Sequence, residues 1–362
     1  MEAGETRQQA VIKVYNMAMQ RQGVIDVYRS LIWTRKYKEA GTVELHAALN
    51  SKNLALLRIG NMITMTGAVE SAVIEGITAN DITCEITATG RMLSACLERR
   101  GINEVVTVTN ASYEEVMRRL VDVSAISTDY PLPNLILGEA AGIGGHVTLQ
   151  VSHKELYSYL KNLSACSNLG FRVRADYKAK KMYFEVYEGK NHSNAQKQNK
   201  RVIFSEVYKN IGQTTYTVNA QKYKTHAVVY GDGEGAERTV VEAVIDPSAE
   251  GWERRELIVD AKDIKREKMT EEQYLSALIQ RGTEKLAAYG IIECMEAVVL
   301  PDVNFTYKKD YDIGDIVTIN KKAWGITIDK RVTEIQEIYE NGAFSIVPTF
   351  GDPLPDQIDL TK

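Results

Sequence analysis

The chain has 362 residues, with 44 Lys and Arg against 48 Asp and Glu, a formal net charge of −4 and 44% hydrophobic residues. That length exceeds one ordinary core and points to two to four domains, each with enough apolar content to bury. The slightly acidic balance argues against a protein devoted to nucleic acid. No apolar run is long enough for a bilayer, and the polar start Met1–Gln9 lacks a signal-peptide stretch, so synthesis and retention in a cytosol are expected.

Apolar and polar residues alternate through 11–50, giving strands over Val24–Tyr28, Leu31–Arg35 and Thr42–His46, with Gly23 and Gly41 at the turns. Trp33 is expected in the core of this unit. Ile59-Gly60-Asn61 turns into the strand Met62–Met65, and after Gly67 the segment Ala68–Glu75 leads through Ala79-Asn80-Asp81 to Ile82–Ala88. A short helix over Arg91–Leu97, ended by Gly101, closes a first β-barrel spanning 1–105.

Ser112 to Glu115 then forms an S-x-x-E capping box, followed by one helical face of Tyr113, Val116, Met117, Leu120 and Val121. Ser152 to Glu155 repeats the signature before Leu156, Tyr159, Leu160 and Leu163, with Gly170 as the expected stop. Each cap contributes about 1 kcal/mol. A hairpin of Phe171–Arg174 with Met182–Tyr187 completes an α/β module over 106–200. The polar, basic stretch 189–201 at its end reads as a linker or exposed loop.

Strands resume at Val202–Phe204 and Lys224–Tyr230, and the latter turns at Gly231–Gly235 into Arg238–Val244. Thr270 to Gln273 is a third capping box, opening a helix with Tyr274, Leu275, Leu278, Ile279 and Leu286 inward and Gly290 as its stop. The expected division is a second β-barrel over 201–245 and 299–355, a strand-helix module over 246–298 inserted into it, and a tail over 356–362. Trp324 is expected to serve the second barrel. The fold class is therefore α+β, two antiparallel barrels with two smaller α/β modules.

A phrase recurs in these two β units. Ile59-Gly60-Asn61-Met62-Ile63-Thr64-Met65 is echoed by Ile313-Gly314-Asp315-Ile316-Val317-Thr318-Ile319. Chance is one reading, because Ile-Gly-Asx before β-branched residues is a common turn-to-strand signal. The flanks favour duplication: each copy continues strand, strand, Asn-containing turn (Asn80; Asn341 before Gly342), strand, although the second is longer in its middle. Two similar barrels per chain let three chains present six near-equivalent surfaces, which suits ring building better than catalysis.

Motifs that could carry chemistry are thin. Gly138–His146 is glycine-rich but lacks the Lys-Ser/Thr of a phosphate loop, and Gly231–Gly235 offers only Asp232 and Glu234 as calcium ligands. Ser158-x-x-Lys161 lies in an amphipathic helix without its companion motifs, and Cys166 and His153 fall on opposite helix sides. Glu114/Glu115 and Glu271/Glu272 could pair as acid and base, yet both occupy first helical turns, where carboxylates suit the helix dipole. Cys84, Cys96, Cys166 and Cys294 stand far apart and read as reduced, buried thiols. No catalytic residue, metal ligand or cofactor site is assigned, and an enzyme is not expected. Tyr outnumbers Phe by 19 to 6, which favours half-exposed sheets and interfaces.

At Gly23–Tyr37 (GVIDVYRSLIWTRKY), followed by Gly41-Thr42-Val43-Glu44-Leu45, the chain resembles the amino-terminal barrel of phage tail baseplate hub proteins. A second match is Gly251-Trp252-Glu253-Arg254-Arg255-Glu256 with Val259-Asp260-Ala261-Lys262-Asp263-Ile264. The resemblance implies tube-protein-like barrels and a homotrimer whose pseudo-sixfold ring adapts a sixfold tail tube to a threefold central spike. The implied partners are the tail tube or its distal initiator ring, the spike, baseplate wedge or fibre proteins and the tape-measure protein, with no membrane and no sequence-specific nucleic acid. The implied location is the baseplate of a virion or of a contractile or bacteriocin-like particle, assembled in the bacterial cytoplasm. Trp33, Gly41, Gly60, Arg254, Arg255, Asp260, Gly314 and Asp315 are the motif residues to follow. Because the chain ends at Lys362, no residues for a carboxy-terminal peptidase, lysozyme or receptor-binding extension are expected. The competing function is a tail-associated cell-wall hydrolase or a carbohydrate- or receptor-binding protein.

Overall fold

The computed structural model describes residues 10–353 apart from 268, 301, 302 and 341. Met1–Gln9, the expected tail 356–362 and Asn341 of the second turn lie outside the described residues. Seven strands come first: β1 Ile12–Tyr15, β2 Arg21–Ile25, β3 Ser30–Lys36, β4 Thr42–Ala48, β5 Met62–Met65, β6 Ala72–Asn80 and β7 Glu85–Met92, with helix α1 Ser51–Leu56 between β4 and β5. The helix expected after β7 is a 3-10 turn over Leu93–Arg99.

The next region holds β8 Gly101–Ile102, β9 Val106–Ser112, α2 Tyr113–Val121, β10 Leu135–Leu137, β11 His146–Val151, β12 Lys154–Glu155, α3 Leu156–Ser167, β13 Gly170–Asp176 and β14 Lys181–Tyr187. The expected β13–β14 hairpin is present, with Val173 opposite Phe184. Ser112 caps α2 by accepting from the Glu115 N–H. Ser152 does not cap α3. Lys154 and Glu155 pair with Ile102 and Gly101, which keeps the backbone extended until Leu156, and the helix ends at left-handed Asn168 rather than at Gly170.

The remaining strands are β15 Ile203–Ser205, β16 Ile211–Asn219, β17 His226–Tyr230, β18 Val240–Val244, β19 Glu256–Asp260, β20 Ile292–Val299, β21 Ile316–Lys321, β22 Ile326–Glu340 and β23 Ala343–Phe350. Helix α4, Glu271–Leu286, precedes β20, and Thr270 and Gln273 form its full reciprocal capping box. Strands β17 and β18, expected in the second barrel, instead pair with each other in a separate three-stranded sheet under α4, in which β17 also pairs with β19. Gly231–Gly235 lies in the connection between β17 and β18. Strand β20, expected largely within the insertion, joins the main sheet.

That main sheet has thirteen strands and runs β16-β20-β23-β22-β3-β4-β7-β6-β5-β1-β2, with β21 and β15 branching from β22. It is an open path, so the two closed barrels expected from the sequence do not form within one chain. The outer edge of β3 is taken by β22 instead of a strand of its own half. Fifteen-residue β22 can do this because its first part pairs with β21 and its second with β3.

Two runs within the sheet follow one order. The run β3-β4-β7-β6-β5 matches β16-β20-β23-β22-β21, and β17 to α4 fall between the corresponding β16 and β20. Hydrogen bonds match as well. Gly60 N–H donates to the Ile74 carbonyl and Ile74 N–H to Asn61; Gly314 N–H donates to Val332 and Val332 N–H to Asp315, each at 2.8 Å. A β-bulge follows at the same place, between Ile74 and Gly76 and between Val332 and Glu334. The edges of the runs differ, since β1 pairs antiparallel with β5 whereas β15 pairs parallel with β21.

Three apolar cores lie under these sheets. The first joins Trp33, Leu31, Leu45 and Ile63 to Val116, Leu120, Leu160 and Phe171, so the first β unit and the α/β module share it. The second gathers Phe204, Met295, Val317, Ile335 and Phe350, with Tyr37 contributed from beyond β3. The third packs Ala227, Val229 and Val259 against Tyr274 and Leu278 of α4. Helix α4 docks on the α/β module through polar contacts: Tyr159 Oη donates to Glu284 at 3.0 Å, and Gln280 donates to Tyr113 at 2.9 Å. Burial pushes the Glu284 carboxyl up against the pull of Arg281. Among the described residues no helix is long and apolar enough to cross a membrane.

Candidate functional site

The join between the two runs concentrates the buried polar chemistry of the main sheet. Strand β3 alternates, so Leu31, Trp33 and Arg35 share its inward side, and Trp33 and Arg35 are 0% and 2% exposed. A buried guanidinium is costly unless paired, and Arg35 is paired across both halves. Its Nε lies 3.3 Å from Glu70, while Nη1 donates to Asp312 at 2.6 Å and to Tyr307 Oη at 2.9 Å. Burial works against this charge, but Tyr307, Asp312 and Glu70 outweigh it and raise the Arg35 pKa.

The network continues into β22. Tyr307 Oη donates to Glu337 at 3.0 Å, and Lys308 Nζ lies 2.9 Å from the same carboxylate. Glu337 stands opposite Trp33 in the β22–β3 ladder. Burial lifts the Tyr307 hydroxyl pKa, so the phenol stays a donor. Arg35, Tyr307 and Glu337 are buried, while Asp312 and Lys308 reach the surface, and the arrangement acts as a clamp holding β3 to β22.

Gly314 and Asp315 lie beside the clamp. Gly314 has φ +91°, and a side chain there would come within 2.5 Å of the Tyr37 ring. Gly60 has φ +86° with open space around it, so it answers a conformational need alone. Asp315 accepts from the N–H groups of Lys190 and Asp312 at 2.7 and 2.8 Å, while burial pushes its carboxyl up. The basic stretch expected as a linker is thus tied to the second β unit. At Gly41 a Cβ would stand 1.9 Å from the Thr34 carbonyl oxygen, so the β3–β4 turn closes only over glycine.

The other motif residues are elsewhere. Arg254 bridges Glu242 and Glu256, Arg255 stacks over Tyr223, and Asp260 pairs with Arg238 at 2.6 Å, all on or beside the β17–β19 sheet. The structure therefore brings Trp33, Gly314 and Asp315 to one join and leaves Arg254, Arg255 and Asp260 on a separate module. Trp324, expected to serve the second barrel, is 48% exposed with Lys321 over its ring. Cys84 is exposed rather than buried, while Cys294 is buried. Glu70, Tyr307, Asp312 and Glu337 were not singled out from sequence; the available signal was Arg35, a charge at an inward position of an alternating strand.

The motifs weighed for catalysis have structural occupations. Glu114 accepts from Ala141 and Ile143 N–H at 2.8 and 2.9 Å and shapes the glycine-rich loop. Ser158 donates to Glu155 and Lys161 pairs with Glu39, so serine and lysine face different partners. Glu271 pairs with Arg266. Among the described residues no three of His, Cys, Asp or Glu gather as a metal site would require.

Among the described residues, the side of β16 away from β20 and the outer side of β6 beyond its short pairing with β5 have no strand partner, and neither do the far sides of β2 and β15. The sheet face opposite the cores is a shallow polar trough lined by Thr34, Thr42, Glu44, Thr89 and Gln336.

Residues 11–352 match the family model described as Siphovirus ReqiPepy6 Gp37-like protein. Among solved structures, the fold is similar to the tail protein from Neisseria meningitidis MC58, with TM-score 0.59, 11% identity, and coverage of 95% of this chain and 96% of that one. It is similar to the prophage MuSo2 43 kDa tail protein from Shewanella oneidensis, with TM-score 0.59, 11% identity, and coverage of 95% and 100%. Prophage tail protein gp18 from Listeria monocytogenes EGD-e aligns with TM-score 0.53, 11% identity and 97% coverage of both chains. At these identities the likeness concerns the fold. No curated protein sequence matches the chain.

Proposed function

The chain belongs to the family of Siphovirus ReqiPepy6 Gp37-like proteins, and from that premise we propose that it is a structural hub of a phage tail or tail-like particle. In this reading its two β units are diverged copies of one ring-forming element. Three chains then present six such units around an axis and adapt a sixfold tail tube to a threefold spike.

The observation that carries the reading is the repeated strand order β3-β4-β7-β6-β5 and β16-β20-β23-β22-β21, with the same Gly60 and Gly314 hydrogen bonds and the same bulge. The Arg35 clamp supports it further, because it fixes one copy against the other as neighbouring ring elements must be fixed. The division into a first β unit, an α/β module, a second β unit and an inserted module accompanies this reading, with β17 and β18 moved into the insertion. The proposed partners are a second and third copy of the chain, the tail tube or its initiator ring, the central spike, wedge or fibre proteins and the tape-measure protein. The proposed location is the baseplate, assembled in the host cytoplasm. The test is the copy number per particle: three per ring supports the adapter, and one, two or six does not.

A further inference from the structure

The strand correspondence specifies more than a copy number. Inside one chain β3 pairs antiparallel with β22, so the first strand of one run meets the fourth of the other, with Thr34 opposite Gln336 and Arg35 opposite Ile335. The same relation taken from the other side would join β16, the counterpart of β3, to β6, the counterpart of β22. Both of those outer edges lack strand partners among the described residues, as do those of β2 and β15; the strand correspondence, not the free edge alone, picks out β16 and β6. Within one chain they do not pair, and six strands lie between them in the open sheet.

We infer that the free edge of β16 in one copy pairs antiparallel with the outer half of β6 in a second copy, in the register that β3 and β22 already use. This rests on the ring reading above and gives it a residue-level contact. The register follows from the ladders. Ile74 corresponds to Val332 through their bonds to Gly60 and Gly314, which sets Gly90 against Phe350, Val43 against Met295 and Trp33 against Tyr216. Carried across the β3–β22 ladder, the contact places Thr217 opposite Thr78, Val218 opposite Ile77 and Tyr216 opposite Ala79 of the second copy.

The chemistry of the two edges fits pairing. Exposed edges are normally blunted by charge or proline, and a quarter of this chain is charged. Yet Ile211–Asn219 and Gly76–Asn80 contain neither. Strand β16 is rich in Thr, Tyr and Val, which favour strand pairing, and Val218 is 55% exposed. Burying Val218 against Ile77 of the partner would remove that apolar exposure.

Cysteine cross-linking in assembled tail particles tests the register. The backbone bond from Tyr37 N–H to the Thr333 carbonyl makes Thr34 and Gln336 a non-hydrogen-bonded pair, so Thr217 and Thr78 would be close enough for a disulfide. In a Cys84→Ser background, Thr78→Cys with Thr217→Cys is expected to yield covalent trimers on mild oxidation. The offset pair Thr78→Cys with Thr215→Cys, two residues out of register, should leave the chain monomeric on a denaturing gel. If particles hold three copies but the matched pair fails to cross-link, or the offset pair links equally well, this pairing is wrong while the ring reading stands. If the copy number is not three, both fall. Val218→Lys supplies an independent arm: a folded chain that no longer trimerises supports the pairing, and one that still trimerises contradicts it.

Discussion

Arg35 donates to Asp312 at 2.6 Å, joining the inward side of β3 to the segment that leads into Gly314, 277 residues further along the chain. Because Arg35 is buried and holds Glu70 and Tyr307, removing it leaves the buried Glu70 carboxylate without its cation. Arg35→Met is expected to lower unfolding free energy by about 3–5 kcal/mol in denaturant titration. Arg35→Lys should recover only part of that, since an ammonium cannot reproduce the guanidinium fork. A wild-type transition in Arg35→Met would show that the clamp does not hold the halves together.

The two echo glycines should respond unequally to alanine. Both have positive φ, so Gly60→Ala is expected to cost about 1–2 kcal/mol from backbone strain alone. Gly314→Ala adds a collision with Tyr37 and should cost a further ~1–3 kcal/mol. Thermal unfolding of the two variants compares them directly. Equal loss would mean that Tyr37 yields freely, and no loss at either site would remove the conformational need for glycine.

Tryptophan substitutions separate core from surface. Trp33 is fully buried, so Trp33→Ala is expected to lose about 3–5 kcal/mol. Trp324 is half exposed, and Trp324→Ala should change stability by no more than about 0.5 kcal/mol. Melting temperatures of the pair decide the matter, and a large drop at Trp324 would contradict its surface placement.

His46 gives a pH signature. Its Nε2 lies 2.7 Å from Glu44 and its Nδ1 2.9 Å from Glu85, and these side-chain hydrogen bonds raise its pKa. A raised folded pKa means that the unfolded chain binds the proton less tightly. The contribution is therefore complete below the unfolded value of about 6.5 and lost as pH rises through the folded one. His46→Gln should destabilise the protein at about pH 6 and much less at about pH 9. A difference independent of pH would show that the imidazolium is not the stabilising form.

Local structure was well written in the sequence. The alternation around Trp33 gave β3 and its inward face, and Thr270 with Gln273 marked the start of α4 to the residue. Gly60 and Gly314 marked equivalent turns because a positive φ before a strand strongly favours glycine. Long-range pairing was not legible. Alternation identifies β17 and β18 as strands but carries no sign that they belong under α4, and nothing near Ser30–Lys36 names β22 as its neighbour. The closed barrels failed for that reason. Ser152 misled because a capping signature acts only where the backbone is free to turn, and Lys154–Glu155 is held in a strand pair. Arg35 was the missed clue to the join.

The central claim is that the repeated strand order builds a threefold assembly with six near-equivalent units. The most direct measurement is a reconstruction of the tail particle's distal ring without imposed symmetry. The account predicts three copies of this chain, with the β3–β7 and β16–β23 units alternating around the axis at roughly equal angles. A ring of six copies, or three copies with only one of the two units on the ring, would contradict it.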